Sequence, residues 1–294
     1  MTDKEGNLSA KDYGIDQPAE GSLFHVKGME HCDWGMKDRL SRIFQPESGK
    51  TVMLAFDHGY IMGATAGLER LDLTIEPIAP FADALMATRG GLRTCISPSH
   101  NKAVILRSSA GSTVLKDDMS QEVIGVDVQD ALRMNAAAMA VQCFVGAPHE
   151  CASLENLVRV IDSGNQYGIP TLAVTAVGKE MERTPRYFML ATRVLAELGA
   201  HIVKTYYCED FEKVVAACPV PIVIAGGKKL PERDALETVY RGISDGAAGV
   251  DMGRNVFQSS SPIAMMKAIN AIVHDGETAS HAWDLFGYEQ SIRQ

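Results

Sequence analysis

The chain has 294 residues, 46% of them hydrophobic, and a formal net charge of −9; that length suffices for two ordinary domains or one large α/β barrel. The acidic balance argues against a nucleic-acid or anionic-membrane surface as the main partner, so an anionic substrate must meet a local cluster of basic groups. No apolar run approaches the about 20 residues that span a bilayer, and the opening "MTDKEGNLSAKDYGIDQPAEG" is polar where a signal peptide is apolar, which predicts a cytoplasmic protein.

The first fifty residues form an extension. Within "DWGMKDRLSRIF", residues Met36, Leu40, Ile43 and Phe44 recur at helical spacing on one apolar face. This predicts a helix that either closes one end of the fold or makes a subunit contact. The C-terminal "HAWDLFGYEQSIRQ" admits the same two readings. The chain therefore divides into an extension over 1–50, a main body over 51–276 and a C-terminal segment over 277–294.

From residue 51 short apolar runs alternate with stretches of helical period. The predicted strands are "TVMLAFD" (51–57), "DALMAT" (83–88), "AVILRSS" (103–109), "AAMAVQCFV" (137–145), "TLAVTAV" (171–177), "AHIVKTYY" (200–207), "PIVIAGG" (221–227) and "AGVDMGR" (248–254). Between them, "TPRYFMLATRVLAELG" and "PERDALETVYRGISDG" each place Pro near the start and Gly at the end of a helical pattern. The segment 112–135 is longer and more polar than its neighbours and reads as an extended loop or an irregular helix pair. Nearly continuous apolar strands joined by amphipathic helices pair in parallel through βαβ crossovers. Eight such units predict a (β/α)8 barrel; an open doubly wound sheet is the structural alternative, without a GxGxxG fingerprint to support it.

A barrel of this kind carries its chemistry at the C-terminal ends of the strands. The residues there are Asp57 and His58, Arg89, Arg107, Lys179, Lys204, Gly226 and Gly227 with Lys228 and Lys229, then Asp251, Gly253 and Arg254. "AGGKK" and "DMGRN" end the last two strands, where barrels often build a phosphate site from backbone N–H groups. Glycine lets the backbone approach the phosphate, and Arg254 with Lys228 or Lys229 would supply charge, although Gly-Gly after a strand is also an ordinary turn. Lys204 stands inside a strand of β-branched and aromatic residues. A buried ammonium must be paired or lose its proton. Beside a phosphate site and a cation such as Lys179, such an amine is a competent nucleophile toward a ketone. Asp57 and His58 are placed to bind hydroxyls or move a proton, with cap and loop filler as the plain alternative. The six cysteines lack a CxxC pair and read as free thiols. Cys208 could be a nucleophile, but without a matched His it fits a helix-start position better. The histidines show no metal-ligand spacing, so no metal is expected.

At these residues the chain resembles the class I aldolase superfamily that includes deoxyribose-phosphate aldolase and the archaeal-type fructose-bisphosphate aldolases. "KTVMLAFDHGY", "LAVTAVGKEM", "VKTYY", "CPVPIVIAGGKKLPE" and "GVDMGRNVFQSS" extend the likeness over almost the whole chain, toward the thiolases of autoinducer-2 degradation. The resemblance implies a barrel enzyme that transfers acetyl from a phosphorylated dione to coenzyme A, giving acetyl-CoA and dihydroxyacetone phosphate, with Lys204 as the Schiff-base lysine. It further implies a large homo-oligomer, a decamer of stacked rings. The fifth strand ends "TAVGKE", where the similar aldolases carry a proton-transferring tyrosine, so aldol cleavage of a sugar phosphate such as fructose 1,6-bisphosphate is the second activity, and a barrel that only binds a phosphorylated signal is the third reading.

Overall fold

The computed structural model describes residues 4–6, 18, 23–176 and 182–292. Among the described residues ten strands form in chain order: β1 (Thr51–Ala55), β2 (Ala84–Ala87), β3 (Ala103–Arg107), β4 (Ser109–Gly111), β5 (Glu122–Ile124), β6 (Ala138–Cys143), β7 (Thr171–Thr175), β8 (Ile202–Tyr206), β9 (Ile222–Ala225) and β10 (Gly249–Met252). Eight of them close into a barrel in the order β1-β10-β9-β8-β7-β6-β3-β2, every pairing parallel. The barrel strands are mostly apolar because they are covered on both sides, by the barrel interior and by the outer helices, and their charged residues are those that face the mouth. These are the eight predicted runs, and the open-sheet alternative is excluded by the β1–β10 seam. Gly249 sits at that seam with φ +144°, and a Cβ there would lie 2.1 Å from the Thr51 carbonyl oxygen. No other residue lets β10 come this close to β1.

The segment 112–135 differs from both expectations. Its first part returns as β5, which pairs antiparallel with β4 (Ser109 opposite Ile124, Gly111 opposite Glu122), and its second part is the helix Val128–Arg133. Polar residues around "QEVIG" hide the strand, since only three residues pair and one face is exposed.

The helical patterns become Pro185–Glu197 and Glu232–Ser244. The first starts with the Thr184 hydroxyl accepting from the Tyr187 N–H, which satisfies one of the helix's free donors. At the N-terminal side, the helix Trp34–Ile43 is capped by the Asp33 carboxylate and buries Leu40, Ile43 and then Phe44 completely. Each such burial contributes about 1.5–3 kcal/mol, which fastens this short helix to the core. Arg39 Nη1 donates to the Gly168 carbonyl (3.1 Å) and Lys27 Nζ to that of Cys218 (2.8 Å). Both acceptors precede strands, so this segment runs under the N-terminal ends of the barrel and leaves the opposite mouth open. The helix Ala279–Ser291 packs along Pro262–Asp275, with Lys267 donating to Glu289 at 2.7 Å.

Candidate active site

A cavity of about 360 Å³ opens at the C-terminal ends of the strands. Lys204 lies within it, third of five residues in β8, in register with Val174 and Val223. Its ammonium is 2.8 Å from Asp251 Oδ2 and 3.5 Å from the Met86 sulfur. Asp251 is the third residue of β10, only 1% exposed, and its Oδ1 has no hydrogen-bond partner among the described residues. Burial pushes the Asp251 carboxyl above the ordinary carboxylate range, with the Lys204 charge pulling the other way. The buried lysine is thus paired with a carboxylate, one of the two states open to a buried ammonium. Lys179, the cation expected beside it, lies outside the described residues.

Asp57 and His58 follow β1. The Asp57 carboxylate accepts from Arg107 Nε at 2.7 Å, and Nη2 of the same guanidinium lies 2.7 Å from the same oxygen in an ion pair. Burial alone would raise its pKa; Arg107, helped by His58 and Lys204, outweighs burial and holds it at about 2. Burial likewise lowers the His58 imidazole, whose Nδ1 is 3.9 Å from Asp57 Oδ1 and has no hydrogen-bond partner among the described residues. Asp57 is therefore a fixed anion, and His58 is largely neutral at pH 7. Stability should follow. A carboxyl depressed from 3.8 to about 2 on folding stabilises the native state by about 2 kcal/mol above pH 4, and that contribution vanishes as pH falls through 3.8 to about 2. Urea unfolding of wild type and Asp57→Asn between pH 6 and pH 2 checks this: the variant should have a shallower acid limb, and an unchanged limb would overturn the assignment.

Arg107 ends β3, where it also donates to Gln142 Oε1 (3.1 Å) and covers the Tyr60 ring at 4.9 Å. The Tyr60 hydroxyl donates to Glu122 Oε1 (2.8 Å) and to Gln142 Oε1 (3.2 Å). Tyr60 and Gln142 line the cavity. Neither was singled out from the sequence, nor was Glu122; they come from separated segments that only the barrel and the β4–β5 hairpin bring together.

Gly226, Gly227, Gly253 and Arg254 line the same cavity, on the β9–β10 side. Asn255 fixes the two turns against each other, donating to the Gly226 carbonyl (2.7 Å) while its Oδ1 accepts from the Leu230 N–H (2.8 Å). Arg254 Nε is buried with no hydrogen-bond partner among the described residues, as a group awaiting an anion would be. The expected lysines behave otherwise: Lys228 is exposed, Lys229 is held by Glu232 at 3.3 Å, and neither lines the cavity. The second cation near the glycines is Arg183, stacked on the Tyr206 ring at 4.0 Å, its Nη1 3.8 Å from where a Gly227 Cβ would stand. Arg89 points outward to Asp130 (3.0 Å) and lines a separate groove of about 460 Å³ outside the barrel. Cys208 is buried outside the cavity, just ahead of the helix Phe211–Ala217, and burial pushes its thiol up to about 11. Among the described residues there is no group of three or more His, Cys, Asp or Glu side chains that could hold a metal, and no helix long and apolar enough to cross a membrane.

Comparison with known proteins gives this geometry a context. The model of the DeoC/LacD family aldolases matches residues 51–259. The chain is 54% identical over 287 residues to the 3-hydroxy-5-phosphonooxypentane-2,4-dione thiolase of Photorhabdus laumondii, covering 97% of this chain and 98% of that protein. It is 53% identical to the thiolase of the same name from Yersinia pseudotuberculosis, over 99% and 100%, and 54% identical to an uncharacterized aldolase of Pasteurella multocida, over 97% and 99%. Among solved structures, an archaeal fructose 1,6-bisphosphate aldolase superposes with a TM-score of 0.74 at 27% identity, over 82% of this chain and 100% of that one. A Schiff-base-forming fructose-1,6-bisphosphate aldolase gives 0.72 at 26%, over 81% and 99%.

Proposed function

The chain belongs to the DeoC/LacD aldolase family, and from that premise we propose that it is the acetyl-transferring thiolase of autoinducer-2 degradation. The substrates are 3-hydroxy-5-phosphonooxypentane-2,4-dione and coenzyme A, and the products are acetyl-CoA and dihydroxyacetone phosphate. The observation that carries the mechanism is the Lys204 amine, buried in the barrel mouth 2.8 Å from Asp251.

Transfer of the ammonium proton to Asp251 frees the amine, and a carboxyl that burial already pushes toward its neutral form is suited to accept it. Lys204 then adds to the ketone beside the phosphorylated carbon and loses water to give an iminium, whose charge Asp251 offsets. The phosphate sits against the backbone of Gly226, Gly227 and Gly253, with Arg254 and Arg183 supplying charge in place of the expected Lys228. The coenzyme A thiol attacks the acetyl carbonyl. The tetrahedral adduct collapses, the carbon–carbon bond breaks toward the iminium, and acetyl-CoA leaves an enamine behind. Protonation on carbon and hydrolysis release dihydroxyacetone phosphate and the lysine.

The end of β7 favours this over aldol cleavage: Thr175 and Ala176 line the cavity, and "TAVGKE" offers no tyrosine to a leaving aldehyde. Asp57 orients the site through Arg107, His58 faces the phosphate side, and Lys179 would bind anionic groups of either substrate. The same reading assigns the enzyme to the cytoplasm, where coenzyme A is available, and to a large ring-stacked homo-oligomer. The test is dihydroxyacetone phosphate release from the phosphorylated dione with and without coenzyme A. Release that requires coenzyme A and equals acetyl-CoA formation is expected. Equal release without it would replace the thiolase by an aldolase or hydrolase.

A further inference from the structure

Thiolysis moves one proton from sulfur to carbon. The thiol gives it up on attacking the acetyl carbonyl, and the enamine carbon takes one up after the carbon–carbon bond breaks. Those two atoms are both bonded to the acetyl carbonyl carbon in the tetrahedral adduct, so a single hydroxyl can serve both.

The barrel dictates which hydroxyl. In the closed ring β9 and β10, which carry the phosphate glycines, lie opposite β3 and β6. A substrate with its phosphate on β9–β10 and its ketone on Lys204 of β8 extends its acetyl end toward β3–β6. There the cavity wall is Tyr60, Arg107 and Gln142. Asp57 is committed to Arg107 through a hydrogen bond and an ion pair, each at 2.7 Å, and Lys204 is consumed as the iminium. His58 stands on the other side, its Cε1 2.8 Å from the site of a Gly253 Cβ. On the β3–β6 side, away from Asp251 and Tyr206, the Tyr60 hydroxyl is a cavity group with a second acid–base group behind it: Glu122 Oε1 at 2.8 Å, with Oε2 buried and without a hydrogen-bond partner among the described residues.

Resting on the thiolase reading above, we propose that Tyr60 is the catalytic acid–base group of this enzyme and that Glu122, supplied by the β4–β5 hairpin, is its positioning residue and proton store. As the thiol attacks, its proton passes to the Tyr60 oxygen while the Tyr60 proton moves to the Glu122 carboxylate. After acetyl-CoA forms, Glu122 returns its proton to Tyr60 and Tyr60 delivers one to the enamine carbon, so both residues end as they began. Burial raises the Glu122 carboxyl, against the pull of Arg107, which makes it a better proton acceptor than an exposed carboxylate.

The enamine step can be read alone, without thiol. Wild type incubated with dihydroxyacetone phosphate in D2O should place deuterium on the hydroxymethyl carbon, and borohydride should trap the phosphate ester on Lys204. Tyr60→Phe is expected to keep the trapped adduct and to slow exchange and acetyl transfer by about 10²-fold or more. Glu122→Gln, which keeps the tyrosine, is expected to lower kcat at least about tenfold with KM for the dione unchanged. Exchange at the wild-type rate in Tyr60→Phe would sink the proposal, and so would loss of the adduct together with exchange, because the hydroxyl would then be shaping the site. Wild type that forms no adduct would overturn the Schiff-base reading itself, a failure distinct from exchange lost in the variant alone.

Discussion

Lys204→Met is expected to lose acetyl transfer by on the order of 10⁴-fold or more and to form no borohydride-stable adduct with dihydroxyacetone phosphate. Methionine keeps most of the length and apolar stem of lysine but has no amine, so the loss isolates the covalent step from packing. The fold should survive. Breaking a buried ion pair ordinarily costs about 3–5 kcal/mol because a charge is stranded. Here the partner left behind is Asp251, whose carboxyl burial already pushes toward the neutral form. Once Lys204 is gone it takes up a proton and the penalty is largely relieved. Lys204→Met should therefore lie closest to wild type in melting temperature at the acidic end of the folded range and fall progressively lower as pH rises and Asp251 is forced to ionise. Adding Asp251→Asn should remove that pH dependence. Thermal melting of the single and double variants, with mass spectrometry of the trapped enzyme, checks both halves. Turnover retained by the folded single variant, or an adduct on another lysine, would end the Lys204 scheme.

The same pair shows what the sequence could and could not carry. Lys204 was legible because an ammonium inside an apolar strand is costly and needs a reason. Its partner was not, because the pairing depends on barrel closure: Asp251 reaches across from β10 with β9 in between, and one residue of register shift would turn it outward. The eight barrel strands and the glycine turns after β9 and β10 were legible for the opposite reason, since apolar runs and Gly-rich strand ends are local signals. Side-chain direction past a strand end is not local. Arg89, Lys228 and Lys229 stand at the expected positions in the chain, yet Arg89 turns to Asp130, Lys228 to solvent and Lys229 to Glu232. Arg183 is the cation beside Gly227, brought there by its stacking on Tyr206. The Tyr60–Glu122 contact joins residues 62 apart through a three-residue hairpin strand in a polar segment, below the length at which alternation can be recognised.

Of the two cradle glycines Gly227 and Gly253, the larger structural effect is expected at Gly253. A Cβ there would stand 2.3 Å from the Ala55 carbonyl oxygen, 2.8 Å from His58 Cε1 and 3.1 Å from Phe257 Cε1. The first contact is backbone of β1 and can give way only if the strand or the turn after β10 shifts. Gly253→Ala should cost about 1–3 kcal/mol of stability, the range of overpacked cores, and displace the backbone N–H groups that open the helix Arg254–Phe257. Gly227→Ala is the control. Its φ of +67° makes alanine strained by about 1–2 kcal/mol, but the nearest atoms to the new Cβ are the Tyr206 and Arg183 side chains at 3.7–3.8 Å, ordinary contact distance, so the turn can keep its shape. If the β10 turn holds the phosphate, Gly253→Ala should raise KM for the phosphorylated dione at least about tenfold, the equivalent of losing one charge-assisted hydrogen bond. It should leave the borohydride trapping of an unphosphorylated ketone on Lys204 nearly unchanged, whereas Gly227→Ala should move KM much less. A larger KM change in Gly227→Ala than in Gly253→Ala would place the phosphate on the β9 turn. A Gly253→Ala enzyme with wild-type KM would remove it from the glycine cradle, leaving the close packing of β10 on β1 as the reason for that glycine.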